Sequence, residues 1–216
     1  MATFSIMPAT AFWPWALLTL FALTAYLATE YTDSRRAKYL LKPLASTGFL
    51  GAAVASGALA TAYGLAVLAA LLLSWLGDVF LLSRQSSLFL AGLASFLLGH
   101  VAYGIAFTLH GQDPLWFLLA LGALIIPAAV VARRLRPHVA PRMKWPVGAY
   151  IAVITLMLAL ALGTRQTLIG AGALAFYISD ISVARDRFVH RSFVNRLWGL
   201  PLYYLAQLLL AATVAS

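Results

Sequence analysis

The sequence predicts an all-α integral membrane bundle of about eight transmembrane helices, forming a single polytopic membrane domain over residues 1–216. Three observations carry this. The residues are 63% hydrophobic and only 10% charged, with a mean hydropathy of +0.92, whereas charged residues approach a quarter of a soluble domain. The apolar residues come in successive runs of about 20, the length that crosses a hydrocarbon core as a helix. Every Lys and Arg other than Lys42 and Arg165 falls in four alternate loops between those runs. In a soluble protein a net charge of +9 would suggest nucleic acid. Here it reads as topology: the basic loops are cytoplasmic, both termini are extracytoplasmic and no nucleic-acid partner is implied. The chain has no cysteine, which removes disulfides, thiol nucleophiles and Cys-based metal sites.

The first span is predicted over residues 11–28, with Trp13 and Trp15 as an interfacial belt. Residues 1–8 lack a positive n-region, so this run is expected to be a span rather than a cleaved signal peptide. The second span covers residues 38–56 and is rich in Gly, Ala and Ser after Lys42-Pro43, which suits close helix packing. The third covers 61–83, and residues 84–87 form a tight turn. The fourth, 88–109, aligns Gly92, Phe96, His100 and Tyr103 on one stripe. Gly111-Gln112-Asp113-Pro114 is a turn signal before the fifth span, 115–132. A basic loop, 133–145, leads to the sixth span at 146–162, and the seventh covers 167–184. A second long basic loop, 185–196, leads to the eighth span at 197–214, which Pro201 is expected to kink.

Within these runs lie two carboxylates. Asp78, in Ser74-Trp75-Leu76-Gly77-Asp78, and Asp180, in Tyr177-Ile178-Ser179-Asp180, share a local pattern and stand 102 positions apart. Each is in the third span of a four-span half, which points to two parallel four-helix halves with a site between them. A carboxylate facing lipid costs at least a few kcal/mol, so such residues face a bundle interior or a wet cavity. Asp78 is predicted to lie roughly 8 Å from the cytoplasmic end of its span, at 1.5 Å per residue. Lys42, Asp180, Tyr203 and Tyr204 fall in the same half of the membrane, Gln207 is one turn beyond Tyr203, and His100 is deeper. Together they suggest a polar pocket open to the cytoplasm.

Each residue also has a structural reading. The aspartates can be ion-pair partners of Lys42 or Arg185, and Lys42 can snorkel. His100 can bond a neighbouring helix, the tyrosines can pack, and Ser74 and Ser179 are common at helix contacts. Neither serine sits in a G-x-S-x-G elbow, and no H-E-x-x-H spacing suggests a metal.

These residues carry a resemblance. The chain resembles the YhhN-like lysoplasmalogenase family of polytopic membrane hydrolases, through Lys42-Pro43-Leu44, Ser74 to Asp78 with Phe80-Leu81, and Gly92, Phe96, His100 and Tyr103. Phe176 to Asp180 with Ala184, and Pro201, Tyr203, Tyr204 and Gln207, complete the match. The likeness implies hydrolysis of the vinyl ether of a lysophospholipid, giving a fatty aldehyde and a glycerophospho-alcohol, in the inner membrane and without a cofactor. Asp78 and Asp180 would then divide acid and base work, with Asp180 as acid and Asp78 as base. Glycosidases that place one water between two carboxyls hold them about 6.5–9.5 Å apart, and the same spacing is expected here. His100 would assist them. Substrate would be held by Lys42, at the lipid phosphate, and by Ser74, Tyr103, Tyr177, Ser179, Tyr203, Tyr204 and Gln207.

Two other readings stay open. An intramembrane aspartyl protease also uses two membrane aspartates, one after a glycine as in Gly77-Asp78. Its usual order of the two segments is reversed here, and the PAL-type segment is missing. A proton-coupled lipid transporter or flippase would use Asp78, Asp180 and His100 as a relay.

Overall fold

The computed structural model describes residues 10–32, 35–83 and 85–215. Eight α-helices follow in order: α1 (Phe12–Thr32), α2 (Arg35–Ala55), α3 (Ala62–Leu81), α4 (Ser86–His110), α5 (Pro114–Leu135), α6 (Lys144–Gly163), α7 (Thr167–Ala184) and α8 (Phe193–Ala212). No strand occurs among the described residues. Seven helices are long and apolar enough to cross a membrane, and the chain is a multi-pass membrane protein. The eighth, α2, has the length but carries Arg36, Lys38 and Lys42 toward its start. Residues 1–8 and Arg84 of the predicted α3–α4 turn lie outside the described residues.

Local chemistry sets the helix ends. Thr61 caps α3 by accepting from Gly64 N at 2.9 Å. Asp113 caps α5 by accepting from Leu115 N and Trp116 N, with Pro114 at the first helical position. Gly111, at φ 113°, ends α4 in a backbone conformation that favours glycine. On the same side of the bundle Arg165 reaches Asp113 at 3.4 Å and lies over the Trp116 ring.

Two boundaries differ from expectation. The predicted loop 185–196 is partly helical, because α7 runs on into a π turn, Arg185–Val189. Ser192 then starts α8 at Phe193 by accepting from Val194 N at 3.2 Å, four residues earlier than the apolar run suggests. The loop between α5 and α6 holds two 3₁₀ turns, Arg136–His138 and Pro141–Met143, each with a proline in its first positions.

Consecutive helices pair as antiparallel hairpins, α1–α2, α3–α4, α5–α6 and α7–α8. Between hairpins, α2 packs on α3 and α8, while α6 packs on α7 and α4. Exchanging the first four helices for the last four converts one set of contacts into the other. The outer helices break the pattern. α1 also packs on α8, whereas α5 leans chiefly on α6 and leaves Leu118, Leu119, Ile125 and Ile126 exposed to lipid.

The centre is aromatic. Phe176 of α7 is fully buried and touches Phe96, His100, Tyr103 and Tyr203, with ring centroids 4.6–6.4 Å apart. Close approach of α3 and α4 beside this cluster requires Gly77, where any Cβ would press into the Phe96 ring. We predict that Gly77→Ala costs about 1–3 kcal/mol by overpacking. By contrast Gly122→Ala, on α5 with open space around it, is expected to be neutral or to stabilise by roughly 0.5–1 kcal/mol. Thermal unfolding of the two variants in detergent micelles checks the contrast.

Candidate active site

Both aspartates lie near the ends of their helices, Asp78 in the last turn of α3 and Asp180 in the last turns of α7. These ends face the side of the bundle that carries the basic loops. There a cavity of about 770 Å³ is lined by Lys42, Asp78, Tyr177, Ser179, Asp180 and Tyr203 among others. The two carboxyls therefore share one space, although neither touches the other directly.

Asp78 is held by three donors. Lys42 Nζ stands 3.0 Å from Oδ1. Ser46 Oγ donates to Oδ2 at 2.6 Å, and Tyr203 Oη donates to the same oxygen at 2.7 Å. The Asp78 side chain is only 3% exposed. Its surroundings suit a carboxylate, which only accepts hydrogen bonds. A buried ion pair of this kind is weak evidence for net stability, but removing one partner strands the other charge.

Asp180 has a different cage. Tyr150 Oη donates to Oδ2 at 2.6 Å. His100 Nε2 lies 3.1 Å from that same oxygen and 3.0 Å from Tyr150 Oη. Among the described residues Oδ1 of Asp180 makes no hydrogen bond, and the side chain is 15% exposed into the cavity. Among the described residues no ammonium or guanidinium pairs with it. One carboxyl is thus engaged through both oxygens beside an ammonium, while the other keeps an oxygen uncommitted.

The two cages share a plan. Asp78, on the third helix of the first half, takes partners from α2 of its own half and α8 of the other. Asp180, on the third helix of the second half, takes partners from α6 of its own half and α4 of the other. Ser46 corresponds to Tyr150 and His100 to Tyr203, at nearly the same separation along the chain as the aspartates.

The remaining predicted residues divide. Tyr177 and Ser179 line the cavity; the Tyr177 hydroxyl is buried without a hydrogen-bond partner among the described residues, and Ser179 Oγ donates to Phe176 O. His100 stands behind Asp180 rather than in the cavity lining. Tyr204 is behind Asp78, with its hydroxyl 3.2 Å from Ser46 Oγ. Tyr103 and Gln207 bond each other at 2.6 Å deeper in the core. Ser74 is fully buried, one turn below Asp78, and it too lacks a partner among the described residues. Ser74, Tyr103, Tyr204 and Gln207 therefore do not line the cavity. Among the described residues no group of three His, Asp or Glu side chains is placed to hold a metal.

Sequence reading missed Ser46 and Tyr150. Ser46 had a signal, since it follows Lys42 by one helical turn on the same face. Tyr150 had none, because a lone tyrosine in an apolar run looks like packing.

The YhhN family model matches residues 37–214. Among curated proteins the chain is similar to lysoplasmalogenase TMEM86A of Bos taurus, 29% identical over 156 residues, which cover 68% of this chain and 63% of the relative. It is also similar to lysoplasmalogenase TMEM86A of Homo sapiens, 31% identical over 159 residues with the same two coverages. Lysoplasmalogenase TMEM86B of Rattus norvegicus is 35% identical over 144 residues, covering 65% of this chain and 58% of the relative. The chain thus spans less than two thirds of the length of these relatives. No solved structure matches it significantly.

Replacing Lys42 by Met keeps most of the side chain's bulk but leaves Asp78 as an unpaired buried charge, a loss expected at about 3–5 kcal/mol. The double variant Lys42→Met/Asp78→Asn should recover most of that loss, because no charge is then stranded. Thermal melts of both variants in micelles measure the difference.

Proposed function

We propose, because the chain belongs to the YhhN family, that it hydrolyses the vinyl ether bond of lysoplasmalogens, the activity for which its curated relatives are named. The observation that carries this reading is the pair of unlike carboxyls lining one cavity. Vinyl ether hydrolysis begins when a proton is added to the alkene carbon, which gives an oxocarbenium ion. Water then adds to that cation, and the hemiacetal collapses to a fatty aldehyde and a glycerophospho-alcohol.

In this reading Asp180 supplies the proton from Oδ1, while Tyr150 and His100 fix its other oxygen. Asp78 stays ionised beside Lys42, stabilises the cation across the cavity and takes the proton of the attacking water. Glycosidases set two carboxyl groups apart by environment for a similar cation. In this reading the Tyr177 hydroxyl, which has no hydrogen-bond partner among the described residues, turns to bond the ether oxygen or the water. The chemistry needs no cofactor, since water is the only co-reactant. In the collapse of the hemiacetal Asp180 takes the hydroxyl proton while Asp78 gives the proton it took from water to the departing glycerol oxygen, so Asp180 ends protonated and Asp78 ionised, as at the start.

The distribution of basic loops supports a cavity mouth on the cytoplasmic side of the inner membrane with both termini outside, and this orientation is part of the proposal. Because the chain has no cysteine, single introduced cysteines report topology without background. His138→Cys should label with an impermeant maleimide only when the cytoplasmic face is opened, and Gln166→Cys should label in intact cells. The reverse pattern would invert the orientation.

The direct test is aldehyde release from a lysoplasmalogen by purified protein in detergent. Asp78→Asn and Asp180→Asn are each expected to reduce it by at least about 10²-fold, the lower end of what a positioned acid or base contributes. Aldehyde release that persists in both variants would remove the acid–base assignment. Peptide products from a membrane substrate would favour a protease, and lipid movement in liposomes without aldehyde would favour transport.

A further inference from the structure

The phosphate of the substrate needs a seat, and Lys42 does not offer one. Its ammonium is engaged by Asp78 at 3.0 Å, at the level of the reacting carboxyls. In a lysoplasmalogen the reacting ether and the phosphorus are joined through the glycerol carbons, five bonds of ~1.5 Å that span roughly 6 Å end to end because the chain zigzags. The phosphate must therefore lie about one glycerol away from Asp180, toward either the core or the mouth. The core side is closed by Phe96, Phe176 and Tyr203.

The mouth is cationic. Lys38 from α2, Arg187 from the π turn, Arg191 from the following loop and Arg196 from α8 all line it. Among the described residues one carboxylate lines the mouth with them, Asp186, which accepts from Ser192 N at 2.8 Å and lies 4.0 Å from Arg196 Nε. His190 also lines the mouth. Arg187 is seven residues past Asp180, roughly 10 Å further out at helical rise, and its long side chain can fold back over part of that distance. Its guanidinium is stacked on Phe89 at 3.9 Å, which fixes its plane at the rim.

Charge on the cytoplasmic side is expected of any such bundle. That rule does not determine which cations edge the cavity. Arg133, Arg134, Arg136 and Arg142 lie on the same side and do not line it, whereas the π turn sets the exposed Arg187 at its rim.

We propose that Arg187, Arg191 and Arg196, with Lys38 opposite, form a cradle for the phosphodiester of a lysolipid headgroup. Guanidinium forks suit phosphate oxygens. The alkenyl chain then runs the opposite way, into the apolar wing between α4 and the α5–α6 hairpin, where Leu93, Val131 and Ile154 line the same cavity. This assignment rests on the hydrolase reading for its substrate, but its binding claim can be tested without turnover.

Two substrates separate the claims: a lysoplasmalogen and the matching 1-O-alkenylglycerol, which has the same ether and no phosphate. The wild type should prefer the first. Arg187→Gln and Arg191→Gln should each raise KM for the lysoplasmalogen by about tenfold, the worth of one charged hydrogen bond, with kcat little changed. Neither variant should alter turnover of the alkenylglycerol. Arg191→Lys should recover part of the loss, and Arg142→Gln, on the same face but off the cavity, should change neither substrate. Equal effects on both substrates, or no wild-type preference, would overturn the cradle.

If neither substrate yields aldehyde, the hydrolase reading fails and binding decides the cradle. A saturated 1-O-alkyl lysophospholipid, which cannot be hydrolysed, should then raise the thermal stability of the wild type more than of Arg187→Gln. The same shift in both proteins would refute the assignment. Inorganic phosphate distinguishes a headgroup site from a free-anion site: protection by the lipid and not by phosphate supports the cradle, and protection by phosphate alone overturns it.

Discussion

Two carboxyl groups lie inside a bundle whose outer surface meets lipid, and the rest of the structure answers to that constraint. An acid in such a place must be surrounded by donors or face water. One helix cannot supply enough of them. Asp78 draws on α2 and α8, and Asp180 on α6 and α4. The fourth helix of each half is thereby committed to the acid of the other half, and the interface between halves is built from these hydrogen bonds and from the rings around Phe176. Glycines at close crossings such as Gly77 let the helices come near enough for short side chains to reach.

Within that shared plan the two cages differ in charge. Among the described residues the ammonium of Lys42 has no Lys or Arg counterpart beside Asp180, where a phenol and an imidazole stand instead. A fold with near-symmetric helix contacts thus holds a site with two unlike ends. This is the arrangement that separates acid from base in enzymes that form an oxocarbenium ion. Geometry at the mouth adds a third region, cationic and open, while the wing toward α5 is apolar. In the proposed reading, headgroup, reacting bond and chain would meet different chemistry along one path.

Much of this was legible in the chain. The apolar runs and the segregation of basic residues give the eight helices and their order, because hydrocarbon thickness imposes a length that sequence cannot hide. Asp78 and Asp180 stand out because charge is rare in such runs. His100 was found through its stripe with Phe96 and Tyr103. Other features depend on tertiary placement. Lys42 looked equally able to snorkel or to bind phosphate, and only the approach of α2 to α3 commits it to Asp78. Tyr150 is indistinguishable from a packing aromatic until α6 is set beside α7. Tyr103, Tyr204 and Gln207 share a polar face with residues of the site but sit deeper than the cavity. The π turn after α7 was hidden because its residues, Arg185 to Val189, carry the charge and polarity of a loop.

The crossed dependence of the two halves bears on ancestry. Suppose a four-helix forerunner had the local pattern now seen twice. Alone it would have exposed its own aspartate, because the helix that shelters that residue belongs to the other copy. Such a forerunner would have been an obligate pair with two identical acids, each under the same constraint. Joining such copies through a connection as short as Gly111–Asp113 would release them from identity. One position could then acquire a lysine neighbour and the other a tyrosine and a histidine, so that fusion, rather than any change of fold, would let the two acids become unlike.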